Sequence, residues 1–325
     1  MTAPARPGER RRGEPSIGVV IPTRDRPGLL RRALDAVLAQ AYPGRIAVVV
    51  VYDQAPPDPA LAALGGTGRT VRVIENRRAP GLAGARNTGI LSLDTDLVAF
   101  CDDDDTWAPG KLRRQVGALL ARPGAEFATC AIEVEFEGRH TPRLAGLDTV
   151  TVDQLARSRM AMLHSSTFLA HRRALTAGVA GADPASGIGL VAEDAPGSQN
   201  EDWDLLLRAA RRAPIVHVDE PLVRVLWGRT SHYAYEYATK ISSLRWMIAR
   251  HPEIRGCPPG AARVYGQIAC WSAATGNRRE AWVWARRAAR ANWREPRAAI
   301  AVAALSGAVN VEQVIAVLHR RGRGI

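Results

Sequence analysis

Residues Asp102, Asp103, Asp104 and Asp105 are four consecutive carboxylates that follow the apolar run Leu97–Phe100 and precede Thr106-Trp107. Adjacent negative charges at the end of a buried strand repel one another and cost stability unless a cation neutralises them. A hard divalent ion with oxygen ligands suits them, since Mg²⁺ and Mn²⁺ prefer carboxylates, water and phosphates. Asp105 or Thr106 alone would suffice to cap a following helix; four aspartates exceed that need, which points to metal or phosphate chemistry. A second acidic group, Glu201-Asp202, opens an apolar helical stretch about a hundred residues later. It reads as the acidic start of a helix, which the positive end of the helix dipole favours.

The elements between these groups read as an alternation. Ser16–Ile21 is a short apolar strand ending in Pro22-Thr23-Arg24. Leu29–Tyr42 has helical apolar spacing after Pro27, and Ile46–Val51 is a continuous β-branched strand ending at Tyr52-Asp53. Val71–Ile74 is a third strand, Gly81–Thr88 opens a helix, and Leu97–Phe100 is a fourth strand. Such an order predicts an α/β fold with a parallel sheet. The polar residues Thr23, Arg24, Asp53, Asn76, Arg77 and Asp102–Asp105 all fall at strand ends, where open α/β sheets bind ligands. Further along, Lys111–Ala121 reads as a helix and Phe127–Phe136 as a half-exposed strand. Ser165–Leu169, Ile215–Val218 and Leu222–Leu226 read as short strands. Ala177–Gln199 is a Gly/Ala/Asp/Pro-rich loop long enough to act as a lid. From Ser231 the pattern is helical, with segments at Tyr233–Arg250, Ala261–Ala274, Arg279–Asn292, Glu295–Leu305 and Val311–Arg320. The spacing Tyr265…Ala269…Gly276…Ala281…Ala288 is similar to a tetratricopeptide-type helix pair, too short for an array.

Composition narrows the function classes. The chain has 325 residues, 46% hydrophobic and 23% charged, enough for one large and one smaller globular unit. No apolar run approaches a membrane span. Met1–Pro15 is rich in Arg, Pro and Gly and reads as a disordered tail with no signal-peptide core after it, which predicts a cytoplasmic protein. The net charge is +12, yet only Lys111 and Lys240 of the 44 basic residues are lysines and no basic stripe alternates with aromatics. Nucleic-acid binding is therefore not expected; docking on the inner face of an anionic membrane stays open. The four scattered cysteines suggest neither a disulfide framework nor a zinc site.

Three metal or phosphate chemistries are to be weighed for Asp102–Asp105, and the first fails. An EF-hand loop starting at Asp102 would need Gly and Glu where Trp107 and Arg113 stand. Asp102-x-Asp104-x-Thr106 matches the haloacid-dehalogenase phosphatase motif literally, but that motif follows the first strand of its sheet and needs a downstream lysine. The ordered set as a whole resembles the family 2 glycosyltransferases of the GT-A fold. Val19-Val20-Ile21-Pro22-Thr23-Arg24, Val50-Val51-Tyr52-Asp53, Gly81…Arg86-Asn87-Thr88-Gly89, Phe100–Trp107 and Glu201-Asp202-Trp203 stand in the family's order across Ser16–Leu226.

The resemblance implies a Rossmann-like mixed sheet with helices on both faces over residues 16–230, followed by a small helical unit over 231–325. It implies that Pro22, Thr23, Arg24, Asp53, Arg86, Asn87, Asp102 and Asp103 bind the nucleotide-sugar donor, a UDP-sugar first. Asp102 and Asp104 would hold Mn²⁺ or Mg²⁺, with Asp104 the direct ligand. Asp202, with Glu201, would supply the general base of an inverting transfer to an acceptor hydroxyl. The acceptor could be a glycan, a lipid-linked, peptide or natural-product molecule, and a homodimer through the C-terminal helices is left open. Two departures stand out: Tyr52-Asp53-Gln54-Ala55 replaces the family's Asp-Asp-Gly-Ser, and Glu193-Asp194 rivals Glu201-Asp202 as the base. His164, His232 and Arg224 are further candidates for acceptor or phosphate contact, and Trp107 for a wall of the site or the core. A binding module without turnover is the non-enzymatic alternative.

Overall fold

The structure, a computed structural model, describes residues 14–179, 186–227, 236–306 and 313–314. Its first half alternates strands and helices: β1 (Ile17–Thr23), α1 (Pro27–Leu38), β2 (Ile46–Tyr52), β3 (Arg69–Glu75), α2 (Leu82–Ser92) and β4 (Leu97–Phe100). Then come β5 (Thr106–Trp107), α3 (Lys111–Leu120), β6 (Phe127–Phe136), β7 (Arg139–Arg143), β8 (Thr149–Val150) and α4 (Val152–Arg157). After these lie β9 (Leu169–His171), α5 (Arg172–Leu175), α6 (Glu201–Arg212) and β10 (Ile215–Leu226). The helices α7 (Tyr237–Arg250), α8 (Pro252–Gly256), α9 (Pro258–Ala274), α10 (Arg278–Ala291) and α11 (Pro296–Leu305) follow.

One sheet runs in the order β3-β2-β1-β4-β9-β6-β10-β5. β3, β2, β1 and β4 are mutually parallel; β9 pairs antiparallel with β4 and β6 and makes the sheet mixed. The chain moves outward from β1 to β2 and β3, then returns to place β4 on the other side of β1. That reversal sets the loops after β1 and β4 side by side, the place where an open sheet leaves a crevice for ligand.

Side-chain alternation along the strands builds a core on each face. Ile17, Val19 and Ile21 join Leu30, Ala33, Leu34 and Val37 of α1 and Leu112 and Val116 of α3. The α1 residues recur at helical spacing after Pro27, which explains both the helix and its buried stripe. Val20 faces the opposite core with α2 and α6. Gly89 lets α2 lie directly on β1, because a Cβ there would meet Val20 Cγ1 at 2.3 Å.

Several sequence expectations shift at their edges. Ser165–Leu169 is not a strand: Ser165–Thr167 is a 3₁₀ turn, and the strand is Leu169–His171. Phe127–Phe136 is mostly buried rather than half exposed, because β9 and β10 flank it within the sheet. The two strands expected over 215–226 are one strand with irregular register around Pro221. The first helix stops at Leu38, four residues short. The tail up to residue 13, His232, residues 180–185 of the candidate lid and nearly all of Val311–Arg320 lie outside the described residues.

The C-terminal helices share the core of the first unit. Ile241, Leu244, Met247, Ile254, Val264 and Ile268 belong to the same buried cluster as Trp203, Leu206 and Leu207 of α6. Gly260 allows α9 to touch the α4 backbone, since a Cβ there would lie 1.9 Å from the Ala156 carbonyl. A charged staple joins the two parts. Fully buried Asp204 on α6 accepts hydrogen bonds from Arg208 Nε at 2.9 Å and Arg250 Nε at 2.8 Å, with His251 Nε2 at 3.0 Å. Burial pushes this carboxyl up, but His251, Arg208 and Arg250 outweigh it and hold it down at about 2. A depressed carboxyl contributes stability above its unfolded value, near 4, and that contribution fades as pH falls toward 2. Asp204→Asn is expected to cost about 2 kcal/mol at neutral pH and to flatten the stability profile between about pH 4 and 2. Urea unfolding across that range checks it; an unchanged profile would remove the staple's role.

Candidate active site

Four loops meet at the carboxyl edge of β1, β2, β3 and β4. At the end of β1, Thr23 Oγ1 donates to Asp103 Oδ2 at 2.7 Å, the direct consequence of the strand reversal. Arg26 Nη1 reaches Asp104 Oδ2 at 2.9 Å and Asp103 Oδ1 at 3.3 Å. Arg24 is half exposed and lies 3.9 Å from Asp25, so its guanidinium is open to a ligand. Pro22 is buried within β1. At the end of β2, buried Asp53 accepts from Asn76 Nδ2 at 2.7 Å and from Gly81 N at 3.0 Å. Thr88 Oγ1 in turn donates to Asn76 at 2.8 Å, so the Arg-Asn-Thr-Gly segment orients Asp53 at one remove.

Arg86 ties the two acidic groups together. It is 1% exposed; Nη1 donates to Glu201 Oε1 at 2.7 Å and Nη2 to Asp102 Oδ1 at 2.7 Å. Nη2 also reaches Ser165 Oγ at 2.9 Å, and Ser165 Oγ lies 2.8 Å from Asp102 Oδ2. The expectation that Arg86 contacts the donor meets a side chain already committed to two carboxylates. Asn87 is likewise buried: its amide donates to Val191 O and Glu193 Oε1 and accepts from Val191 N, fastening the loop before α6.

His164 and Ser166 complete the acidic loop from below. Ser166 Oγ bonds Asp105 and accepts from Asp102 N at 2.9 Å. His164 Nδ1 is 3.2 Å from Asp105 Oδ2, and Nε2 is 3.9 Å from Asp102 Oδ2. Burial draws the imidazole down, but Asp105, Asp102 and Asp202 push it up to about 9. Asp104 is driven up to about 7 by burial and by Asp105, Asp102 and Asp103, with Arg26 opposing. Atoms of Asp102, Asp105 and His164 lie within 4.8 Å of one another, close enough to share one ion. This oxygen-and-imidazole set suits a divalent ion such as Mn²⁺, and a crowded, partly protonated carboxylate group is what such an ion would relieve. Asp104, expected as the direct ligand, stands at the rim with its carboxylate on Arg26.

Glu201 and Asp202 begin α6, where the helix dipole favours negative charge. Their backbone is held from the C-terminal helices: Asn200 sits at φ 62° and donates to Ser243 Oγ at 2.7 Å, and Ser243 Oγ donates to Gln199 O at 2.6 Å. Asp202 Oδ2 accepts from Arg159 Nη2 at 2.5 Å and Oδ1 from Trp203 N at 2.7 Å. Burial pushes Asp202 up, but Arg159, His164 and Arg86 hold it below the usual carboxylate range. Burial and Asp202 push Glu201 up to about 7. The rival pair is engaged elsewhere: Glu193 with Arg78 and Asn87, Asp194 with Trp246 Nε1 at 3.1 Å.

Trp107 is a core residue whose ring lies 3.8 Å beneath Lys111 Nζ. Arg224 pairs with Glu133 across β10 and β6. Sequence reading missed Arg26, Arg159, Ser165 and Ser166. The adjacent hydroxyls after His164 were a visible signal for a turn rather than a strand; nothing local marks the arginines.

The description "Glycosyl transferase family 2" matches residues 18–177. Succinoglycan biosynthesis protein ExoW of Rhizobium meliloti (strain 1021) is 41% identical over 101 residues, 30% of this chain and 31% of ExoW. The Escherichia coli UDP-Glc:alpha-D-GlcNAc-diphosphoundecaprenol beta-1,3-glucosyltransferase WfgD is 26% identical over 104 residues, 32% of this chain and 41% of WfgD. The chain thus spans well under half the length of these curated relatives. The mannosyltransferase PcManGT from Pyrobaculum calidifontis, solved with GDP-Man and Mn²⁺, superposes with a TM-score of 0.57 at 18% identity, over 94% of this chain and 80% of that one. The architecture is that of the GT-A fold.

Proposed function

Because residues 18–177 of this chain belong to the family 2 glycosyltransferases, we propose that it is an inverting transferase that moves a sugar from a nucleoside-diphosphate donor to an acceptor hydroxyl. The observation that carries this reading is the Arg86 bridge, which brings Asp102 of the acidic loop and Glu201 beside Asp202 to one guanidinium. A haloacid-dehalogenase phosphatase fits poorly, because Asp102 follows the fourth strand and Arg86 and Ser165 hold its oxygens.

The acceptor oxygen attacks the anomeric carbon opposite the diphosphate. A carbon–oxygen bond forms on one face while the bond to the diphosphate breaks on the other, and the leaving group departs with the electron pair. The acceptor proton passes to the Asp202 carboxylate, which Arg159 keeps ionised in the resting site. Arg159 is half exposed, free to give way to an acceptor. Glu201 acts through Arg86 as a positioning residue. Asp53 and Arg24 border the crevice where nucleoside and phosphates would lie. Asp102, Asp105 and His164, with Asp104 at the rim, would hold the divalent ion, which when bound neutralises charge gathering on the leaving diphosphate.

A UDP-sugar and a glycan or lipid-linked acceptor are the first choices, in line with the name of the E. coli relative; the GDP-Man of the archaeal structure makes the base a matter for test. Thermal shift with UDP, GDP and their sugars is expected to raise the melting temperature only when Mn²⁺ is present. Chelation should abolish donor hydrolysis, and Asp104→Ala should lower it by at least about a hundredfold. Phosphatase activity on simple esters with no nucleotide-dependent shift would overturn the assignment.

A further inference from the structure

The outward face of α10 and the turn after it combine exposed guanidiniums with large apolar side chains left in water. Between Arg278 and Arg297 stand seven arginines and two glutamates. Both glutamates are taken: Glu280 pairs with Arg245, and Glu295 with Arg297. Among the described residues, exposed Arg279, Arg286 and Arg290 have no carboxylate partner. On the same face Trp282 is 49% exposed, Val283 42% and Trp293 78%. Arginine is abundant throughout this chain, so charge alone is not the signal; unpaired guanidiniums set beside the exposed Trp282 and Trp293 are. Beside them an open cleft of about 380 Å³ is lined by Arg279 and Arg287, by Arg245 paired with Glu280, and by Asn277, Val283 and Trp284. A neighbouring cleft of about 490 Å³ is lined by Arg255, Arg287 and Arg290 with Tyr265.

We infer that this face docks on the surface of a bilayer carrying anionic phospholipid. Indoles settle at the headgroup level, and each basic residue near an anionic leaflet adds attraction. The guanidinium-lined clefts match headgroup phosphates, which Arg binds through paired N–H groups. Nucleic acid fits less well: Arg287 covers the Trp284 ring at 4.6 Å and Arg294 the Trp293 ring at 5.0 Å, so these rings are not free platforms for bases. No described helix is long and apolar enough to cross a membrane. It is independent of the transferase chemistry.

The test uses the full chain in flotation with vesicles of phosphatidylcholine alone and of two parts phosphatidylcholine to one part phosphatidylglycerol. Binding is expected only to the anionic vesicles and should weaken as salt rises. Arg286→Glu with Arg290→Glu should lower it by at least about tenfold, with an unchanged melting temperature because both sites are exposed. Trp282→Ala, which keeps every charge, should also weaken binding. Equal binding to neutral vesicles, or wild-type binding by the double variant, would overturn the inference. So would a dimer broken by the same substitutions in a chain that ignores anionic lipid.

Discussion

Asp202→Asn is expected to lower the transfer rate by about 10²–10⁴-fold while donor binding stays within about twofold. The substitution keeps the shape of the side chain and its bond from Trp203 N, so α6 should start as before. It removes the only function a base must have, a carboxylate that can take a proton. The resting partner of Asp202, Arg159, would face a neutral amide and should become more mobile rather than leave a buried charge behind, since it is half exposed. A structural role for Asp202 would instead show as a lower melting temperature with proportional loss of donor binding. Single-turnover rates and nucleotide affinity, measured together, separate the two. Normal transfer by this variant would end the assignment of the base.

Arg86→Met should be the most damaging substitution for the fold of the site, costing about 3–5 kcal/mol of stability and abolishing transfer. Its guanidinium is enclosed between Asp102 and Glu201, and removing it leaves two carboxylates facing one another with no cation between them. Arg86→Lys would keep the charge but lose the fork that reaches both partners and Ser165, so partial recovery is expected. Adding Glu201→Gln to Arg86→Met should regain part of the lost stability, because one orphaned charge is gone. Urea unfolding of the wild type, Arg86→Met, Glu201→Gln and the double variant gives the coupling directly. A loss under about 1 kcal/mol for Arg86→Met would mean that the bridge is a surface-like pair and does not hold the site together.

The order of elements and the strand-end positions of Thr23, Asp53 and Asp102–Asp105 were legible because they are local: apolar runs, a first-turn proline and polar breaks have a period that a sequence displays. The same holds for Glu201-Asp202, which announces itself as an acidic helix start. What escaped was whatever depends on a partner far along the chain. Ser165–Leu169 has the residue types of a strand, yet its hydroxyls turn toward Asp102 and Asp105 and the backbone follows them into a 3₁₀ turn. Arg159 carries no local mark, but it lies on Asp202. The boundary expected near residue 230 follows a change in composition; Ser243, Met247 and Ile268 nonetheless pack into the first unit and steady the loop that precedes Asp202.

The sequence by itself determined where the acidic residues stand: a run of carboxylates after one strand, an acidic pair at the start of a helix, and the order of strands that brings both to one sheet edge. Only the tertiary structure decided how those groups are shared. It turned Arg86 and Asn87 inward as struts and set His164 and Asp105 beside Asp102. Arg26 took Asp104, Arg78 and Asn87 took Glu193, and Trp246 took Asp194. The reason is that a buried charge must find an opposite charge or a donor within about 3 Å. Which one it finds depends on distances across the fold that no spacing along the chain encodes.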